Sequence, residues 1–208
     1  ARATPKTVFA HMLYENTNPY ILHEPGGYLD TTNAKYEALT SKKVRVTNSK
    51  WIKSEKYTVK IEGASLNGFQ NVMLSILRNK RYVNNAQNWA NDIKSKCSEL
   101  VKNRLVLKDK DFSIEMRLIG KNASFGNLEI KNSEQYEIGV MALVTAKSQE
   151  TANEISQMLN PFLLHHPLTK SEELPTFSFP FSPADIKRGP IYSFCLHHTW
   201  EIKTPLEI

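Results

Sequence analysis

Alternation of apolar and polar positions predicts most of the strands in this chain. Residues 57–62 alternate strictly, with three apolar side chains on one face, which is typical of a half-buried strand. Residues 71–77 are apolar on both sides, which favours a strand covered on both faces or a buried helix segment. Glycines bound residues 63–68, where we predict a turn. The remaining predicted strands are 112–118, 136–146 and 191–202.

Helical periodicity predicts two long helices and one short one. Residues 85–104 place their large apolar side chains on one face and their lysines on the other. Ser148 is a capping residue for a second helix that ends near Pro167. At the start of the chain, Thr4 as cap and Pro5 at the first helical position predict a short helix.

The order of these elements predicts an α+β fold. From residue 57 onward, the order is strand, strand, helix, strand, strand, helix, strand. This order indicates a mostly antiparallel sheet with a βαββαβ (ferredoxin-like) core plus an extra strand, and with the helices on one face. We expect residues 57–208 to form this domain and residues 1–56 to link it to an upstream domain. The chain begins at Ala1 and directly on a helix-start signal, so we expect the carboxy-terminal portion of a larger protein.

Composition and charge narrow the class of protein. The 208 residues are 40% hydrophobic and 23% charged, which excludes a disordered or fibrous chain. No apolar run is long enough to cross a bilayer and no secretory signal is present, so we expect a cytoplasmic protein without a membrane partner. The two cysteines lack metal-ligand spacing, and we predict no metal site. The net charge of +6 suits an anionic metabolite at least as well as nucleic acid, because acidic residues interleave with the basic ones, and it suits solvated lysines without a partner better than either.

Four stretches carry a resemblance to a known family. They are AHMLYENTNPYILHEPGGYLDTT at the start, YTVKIEGA, GKNASFGNLE, and FPFSPADIKRGPIYSF near the end. Together they resemble the acyclic terpene utilisation (AtuA-like) family. That resemblance implies a preceding amino-terminal half and a role in bacterial catabolism of branched acids such as citronellate and geranylate. The segment NVMLSILRNKRYVNN departs from the family pattern, which has a glycine and an Asp-Pro there.

Two functions are compatible with the sequence, one supported by this resemblance and the charged segment 185–188, the other by the apolar run 72–77 and the phenylalanine-rich loop before residue 182. The first is part of a catabolic enzyme acting on branched carboxylic acids or their CoA thioesters. Its reaction is open among lyase, hydratase and isomerase types, and its cofactor is unknown. The alternative is a non-catalytic interaction module that docks the missing amino-terminal half, a separate subunit equivalent to it, or a second copy in a homo-oligomer.

Histidines and a carboxylate in three segments are candidate catalytic groups. His11 and Glu15 are four residues apart on the predicted first helix, an arrangement in which a carboxylate orients an imidazole as a base; it also suits a surface pair. His23 lies beside the glycines of a predicted turn, where backbone amides can approach a ligand or simply form the turn. His197 lies on the last predicted strand. Its side chain either lines a site or is a buried core histidine with a hydrogen-bond partner.

The segment 182–190 offers the strongest candidate for substrate binding. Asp185 is a candidate catalytic carboxylate, with Ser182, Lys187 and Arg188 as candidate anion-binding groups in a proline-bounded loop. Two adjacent cations suit a carboxylate or a phosphate. The alternative is that Ser182 or Asp185 caps a short turn.

A second candidate anion site lies in the glycine-bearing loop at residues 120–126. Lys121 and Asn122 supply polar groups, and the glycines allow backbone amides to approach a phosphate or a carboxylate. The order of residues excludes a nucleotide-binding P-loop. A hairpin loop with glycines for geometry is equally compatible with this pattern.

Overall fold

The structure is a computed structural model with an α+β fold, in which the described residues form mostly antiparallel sheets and three α-helices. It describes residues 2–14, 16, 18–128, 134–170 and 177–204. The chain divides into two compact units, Ala1–Ser65 with Ser193–Ile208, and Leu66–Tyr192. Two long strands, β6 (Thr58–Leu77) and β10 (Asp185–Glu201), contribute residues to both units. Within the described ranges, no helix is both long enough and apolar enough for a membrane span.

The first unit is built mainly from short strands. Its elements are α1 (Pro5–Ala10), a 3-10 turn (His11–Leu13), β1 (Ile21–Glu24), β2 (Gly27–Asp30), β3 (Lys35–Thr40), β4 (Lys43–Thr47) and β5 (Lys50–Lys53). Strands β1, β2 and β5 form one antiparallel sheet, and β3 pairs with β4 in a hairpin. The predicted cap is confirmed, since the Thr4 hydroxyl accepts the Thr7 N–H. The positive φ expected at Gly26 is present at +80°.

The second unit contains the two long helices and a larger sheet. Besides parts of β6 and β10, its elements are α2 (Lys80–Leu105), β7 (Phe112–Ile119), β8 (Ile138–Ala146), α3 (Gln149–His165) and β9 (Phe177–Ser178). The strand order is β10–β6–β8–β7, with β9 also paired to β6. The pairs β6–β8 and β7–β8 are antiparallel.

The core of the second unit lies between α2, α3 and one face of this sheet. Along β8 every second residue is buried while the residues between them are half-buried. Buried side chains of both helices, including Trp89 and Leu159, belong to the same cluster as these strand residues. Each large apolar side chain buried in this way stabilises the fold by roughly 1.5–3 kcal/mol. The predicted cap of α3 is confirmed, since Ser148 accepts the N–H of Thr151.

Three sequence-based boundaries were wrong. Residues 63–68 do not turn, because β6 continues through both glycines as one 20-residue strand. The first long helix begins at Lys80, ahead of residue 85, because the Asn79 side chain accepts the Arg81 N–H as a cap. Residues 185–190 belong to β10 and not to a loop. In β6 and β10, pairing with neighbouring strands stabilises the strand more than the glycines and prolines disfavour it.

Candidate functional site

Two polar clusters occur at one end of the sheet in the second unit, one on each of its faces. They start from Gln70 and Asn71, which are consecutive on β6 and therefore point to opposite faces. Both are buried, with 7% and 0% of their surface exposed. We call Asn71, Gln149, Asn153 and Asp185 the helix-side cluster, and Gln70, Thr145 and Arg188 the open-face cluster.

In the helix-side cluster, the buried amide of Asn71 connects α3 with β10. Its oxygen accepts a hydrogen bond of 2.6 Å from Gln149 Nε2. Its nitrogen donates to Asn153 Oδ1 at 3.0 Å and, more weakly, to Asp185 Oδ2 at 3.4 Å. Gln149 also donates to Asn153 at 3.1 Å. Asn71 is therefore bonded chiefly to the start of α3, and its contact with the Asp185 carboxylate is long and weak.

The local structure explains why these side chains meet. Gln149 and Asn153 are one helical turn apart at the start of α3, just after the Ser148 cap, so they lie on the same side of the helix. Asp185 is half-buried at the start of β10. A partly exposed carboxylate among amides can accept a hydrogen bond from a hydroxyl or exchange a proton with a ligand.

In the open-face cluster, three side chains form a hydrogen-bonded series across three strands. Arg188 Nη1 on β10 donates to Gln70 Oε1 on β6 at 2.6 Å. Gln70 Nε2 in turn donates to Thr145 Oγ1 on β8 at 2.9 Å. Gln70 is held between its two partners, so the exposed guanidinium has a fixed anchor at the end of this face.

An apolar surface continues from the open-face cluster along the same side of the sheet. The residues that follow Gln70 at alternate positions on β6, with their partners on β8, are apolar and half-buried. We call these residues the apolar strip: Val72, Leu74, Ile76, Met141 and Leu143. They point away from the face that α2 and α3 cover, because the buried residues of β6 and β8 alternate with them.

A cleft of about 560 Å³ adjoins the open-face cluster through Thr145. It contains both acidic and basic groups, and Lys147 Nζ donates to Asp111 Oδ1 at 2.6 Å. The pKa of Asp111 is lowered, first by this hydrogen bond and next by the N–H of Lys108. Its lining is Leu66, Asn67, Gly68, Asp109, Lys110, Asp111, Phe112, Ser113, Thr145, Ala146 and Lys147.

A buried histidine, His166, forms hydrogen bonds that connect the end of α3 with α2. His166 Nε2 lies 2.6 Å from Asp92 Oδ2, and the His166 carbonyl accepts a 2.7 Å hydrogen bond from Trp89 Nε1. The pKa of Asp92 is lowered by a hydrogen bond from Lys96 and, secondarily, by one from His166. This contact stabilises the packing of the two helices.

The histidines predicted as catalytic all lie in the first unit. His11 is exposed and stacks on Tyr14, with ring centroids 6.0 Å apart. Glu15 lies outside the described residues. His197 Nε2 approaches the His23 carbonyl at 3.4 Å, so these two residues meet through a backbone group. Their catalytic roles stay predictions.

The candidates from the segment 182–190 are divided between the two faces of the sheet. Asp185 belongs to the helix-side cluster and Arg188 to the open-face cluster, as their hydrogen bonds show. Lys187 and Arg188 are consecutive strand residues, so they point to opposite sides and do not converge on one anion. Ser182 is exposed ahead of β10.

The other predicted anion-binding pair contacts α2. Lys121 Nζ donates to the Asn84 carbonyl at 3.4 Å, and Asn122 Nδ2 donates to Gln87 Oε1 at 2.8 Å. Both side chains thus attach the loop to the helix. Their role in binding an anion stays a prediction.

Sequence reasoning missed Gln70, Asn71, Gln149 and Asn153. The available signal was the adjacent Gln-Asn pair at the start of an otherwise apolar strand, FQNVMLSIL. A buried amide inside such a run requires hydrogen-bond partners, which come from the fold. A second signal was the pair of amide side chains, Gln149 and Asn153, which are four residues apart and therefore lie on one side of α3.

Comparison with known proteins identifies one match. The model of the family described as "Acyclic terpene utilisation family protein AtuA" matches residues 2–179. No curated protein and no solved structure matches the chain. The matched segment ends before β10, so the assignments of Asp185 and Arg188 rest on the structure.

Proposed function

Since the chain belongs to the acyclic terpene utilisation family, we propose that it acts in the cytoplasm as part of a catabolic protein. Its ligands are branched acyclic carboxylic acids or their CoA thioesters. The observation that carries this proposal is the apolar strip, which ends at polar groups able to bind an acid or carbonyl head. A branched hydrocarbon tail needs such an apolar surface, and its head needs hydrogen-bond donors.

The width of the apolar strip supports this ligand class. Its residues form pairs across β6 and β8, with Val72 opposite Leu143 and Leu74 opposite Met141. Neighbouring strands are about 4.8 Å apart, and successive pairs on one face are about 6.8 Å apart. A branched tail that lies along the strands covers two such pairs, and it loses water from the side that faces the sheet.

Calorimetric titration with 3,7-dimethyloct-6-enoic acid and its CoA thioester tests this proposal. Replacing Leu143 by threonine keeps β propensity and removes apolar contact worth about 1.5 kcal/mol. We therefore expect a roughly tenfold weaker Kd. Val46→Thr is the matched control, because Val46 is an exposed apolar strand residue on β4 of the first unit. Absence of binding by both ligands, or equal losses in the two variants, would refute the proposal.

The same proposal includes a ferredoxin-like assignment for the second unit. Its support is the order β6, α2, β7, β8, α3 and β10, with the two-residue strand β9 as an addition before β10, together with the strand order β10–β6–β8–β7. An experimental structure with another strand order would overturn this assignment.

One observation favours a second function, that of an assembly module. The buried core contains no residue of the first unit among those described, while Trp51, Tyr57 and Trp200 of that unit are more than half exposed. Exposed aromatic side chains of this kind mark protein interfaces. Docking of an amino-terminal half, of an equivalent subunit or of a second copy would cover them. Light scattering that shows a monomer, with no affinity for a separate amino-terminal half, would contradict this function.

A further inference from the structure

We propose that Arg188 binds the carboxylate of a free acyclic acid, and that the open face of the second unit selects this acid over its thioester. This inference rests on the proposed function and specifies its substrate class. The first support is the state of Arg188. One N–H of its guanidinium goes to the neutral Gln70 amide, and none of the described acidic residues forms an ion pair with it. Among the described residues its positive charge therefore has no acidic partner, and the bond to Gln70 fixes its position.

Among the described basic residues on the strands of this face, Arg188 alone lacks an acidic partner, which matches one carboxylate. Lys187 points to the other side of the sheet by strand alternation. Arg117, on the same face of β7, is paired with Glu115 at 2.7 Å. One uncompensated guanidinium can form a bidentate pair with a carboxylate. The carbonyl of a thioester carries no charge and forms no such pair. The CoA phosphates are separated from that carbonyl by the long pantetheine arm, so they do not take the place of the carboxylate at Arg188 while the tail lies on the apolar strip.

The geometry also places the tail of such an acid. Arg188 contacts Gln70, and the apolar strip begins two residues further along β6, at Val72. An extended eight-carbon chain spans about 9 Å, since each bond of about 1.5 Å advances it by a little less than its length. The tail then covers the Val72–Leu143 pair and reaches the Leu74–Met141 pair, which the register places next along the strands.

Titration calorimetry with three probes tests this inference: 3,7-dimethyloct-6-enoic acid, its methyl ester and its CoA thioester. We expect the acid to bind at least tenfold more tightly than either ester, as loss of a charge-assisted pair implies. In Arg188→Gln the affinity for the acid should fall to the affinity for the methyl ester. Lys187→Gln is the matched control, because it removes the adjacent cation from the other side of the strand. We expect it to leave all three affinities within about twofold.

The outcomes separate this inference from the function on which it rests. If the esters bind as tightly as the acid and Arg188→Gln is silent, the face binds acyclic chains but Arg188 does not select the acid. Binding by none of the probes overturns both. Circular dichroism checks the fold of each variant, and Arg188→Lys provides a second measurement. It keeps the charge without the planar fork, so we expect an affinity between those of the wild type and Arg188→Gln.

Discussion

Replacing Asn71 by alanine should destabilise the second unit, because the buried amide of Asn71 joins three elements. The variant removes the 2.6 Å bond from Gln149 and the 3.0 Å bond to Asn153, together with the long contact to Asp185. Each of the two short bonds contributes about 1 kcal/mol net, and the 3.4 Å contact contributes little. The small cavity left by the missing amide adds to the loss. We expect a total loss of about 2–3 kcal/mol.

Urea unfolding followed by circular dichroism at the helical band measures this loss. The two long helices, α2 and α3, both lie in the second unit, so the helical signal reports chiefly on that unit. With a slope of about 2 kcal/mol/M, the midpoint should fall by roughly 1 M. Asn103→Ala, at an exposed position of α2, is the control and should leave the midpoint nearly unchanged. A fall of less than about 0.3 M in Asn71→Ala would refute the reasoning that this amide organises the cluster.

Three further results are expected. The pKa of Asp92 is held below its usual 3.8, chiefly by the Lys96 hydrogen bond, so its stabilisation is present above about pH 4 and is lost as the pH falls through the folded-state pKa. In Asp92→Asn, the free energy of unfolding should therefore depend less steeply on pH below about pH 4, as measured by urea titrations at several pH values. Burial raises the pKa of Cys97 to about 12, while Cys195 is exposed, so mass spectrometry after brief iodoacetamide treatment should show one adduct, on Cys195. Gly68→Ala should lower thermal stability by about 1–3 kcal/mol, because Gly68 has φ +113° and a Cβ there would lie 2.6 Å from a backbone oxygen of β8.

The elements of the second unit were largely predictable because their patterns are strong. The alternation that begins at Phe112 is compatible only with a strand, and the apolar stripe around Trp89 is compatible only with a helix. The structure has β7 and α2 at these positions. The long strand β6 was not predictable in full. Gly63 and Gly68 signal a turn when only local sequence is considered, and their inclusion in one strand, with Gly68 at a positive φ of +113°, depends on pairing with distant strands.

The candidate site was predictable only in part, for a related reason. Asp185 and Arg188 were singled out by their charges, yet their assignment to a loop hid the alternation that separates their faces. The partners Asn71 and Gln149 are 78 residues apart in the sequence. Nothing local indicates that their amides meet, because hydrogen bonds between distant residues form only once the sheet and α3 have packed.

Gln70 and Asn71 are adjacent and point to opposite faces of the sheet. The number of residues that precede them in β6 therefore determines which face each side chain occupies. If one residue were deleted just before Gln70 while the partner strand kept its place, every following side chain of β6 would exchange faces. The Asn71 amide, which bonds Gln149 and Asn153, would then point to the open side, and the apolar strip would face the helices. Insertions or deletions at residues 64–69 should therefore be tolerated in pairs and not singly, which gives protein engineers a simple rule for editing this strand.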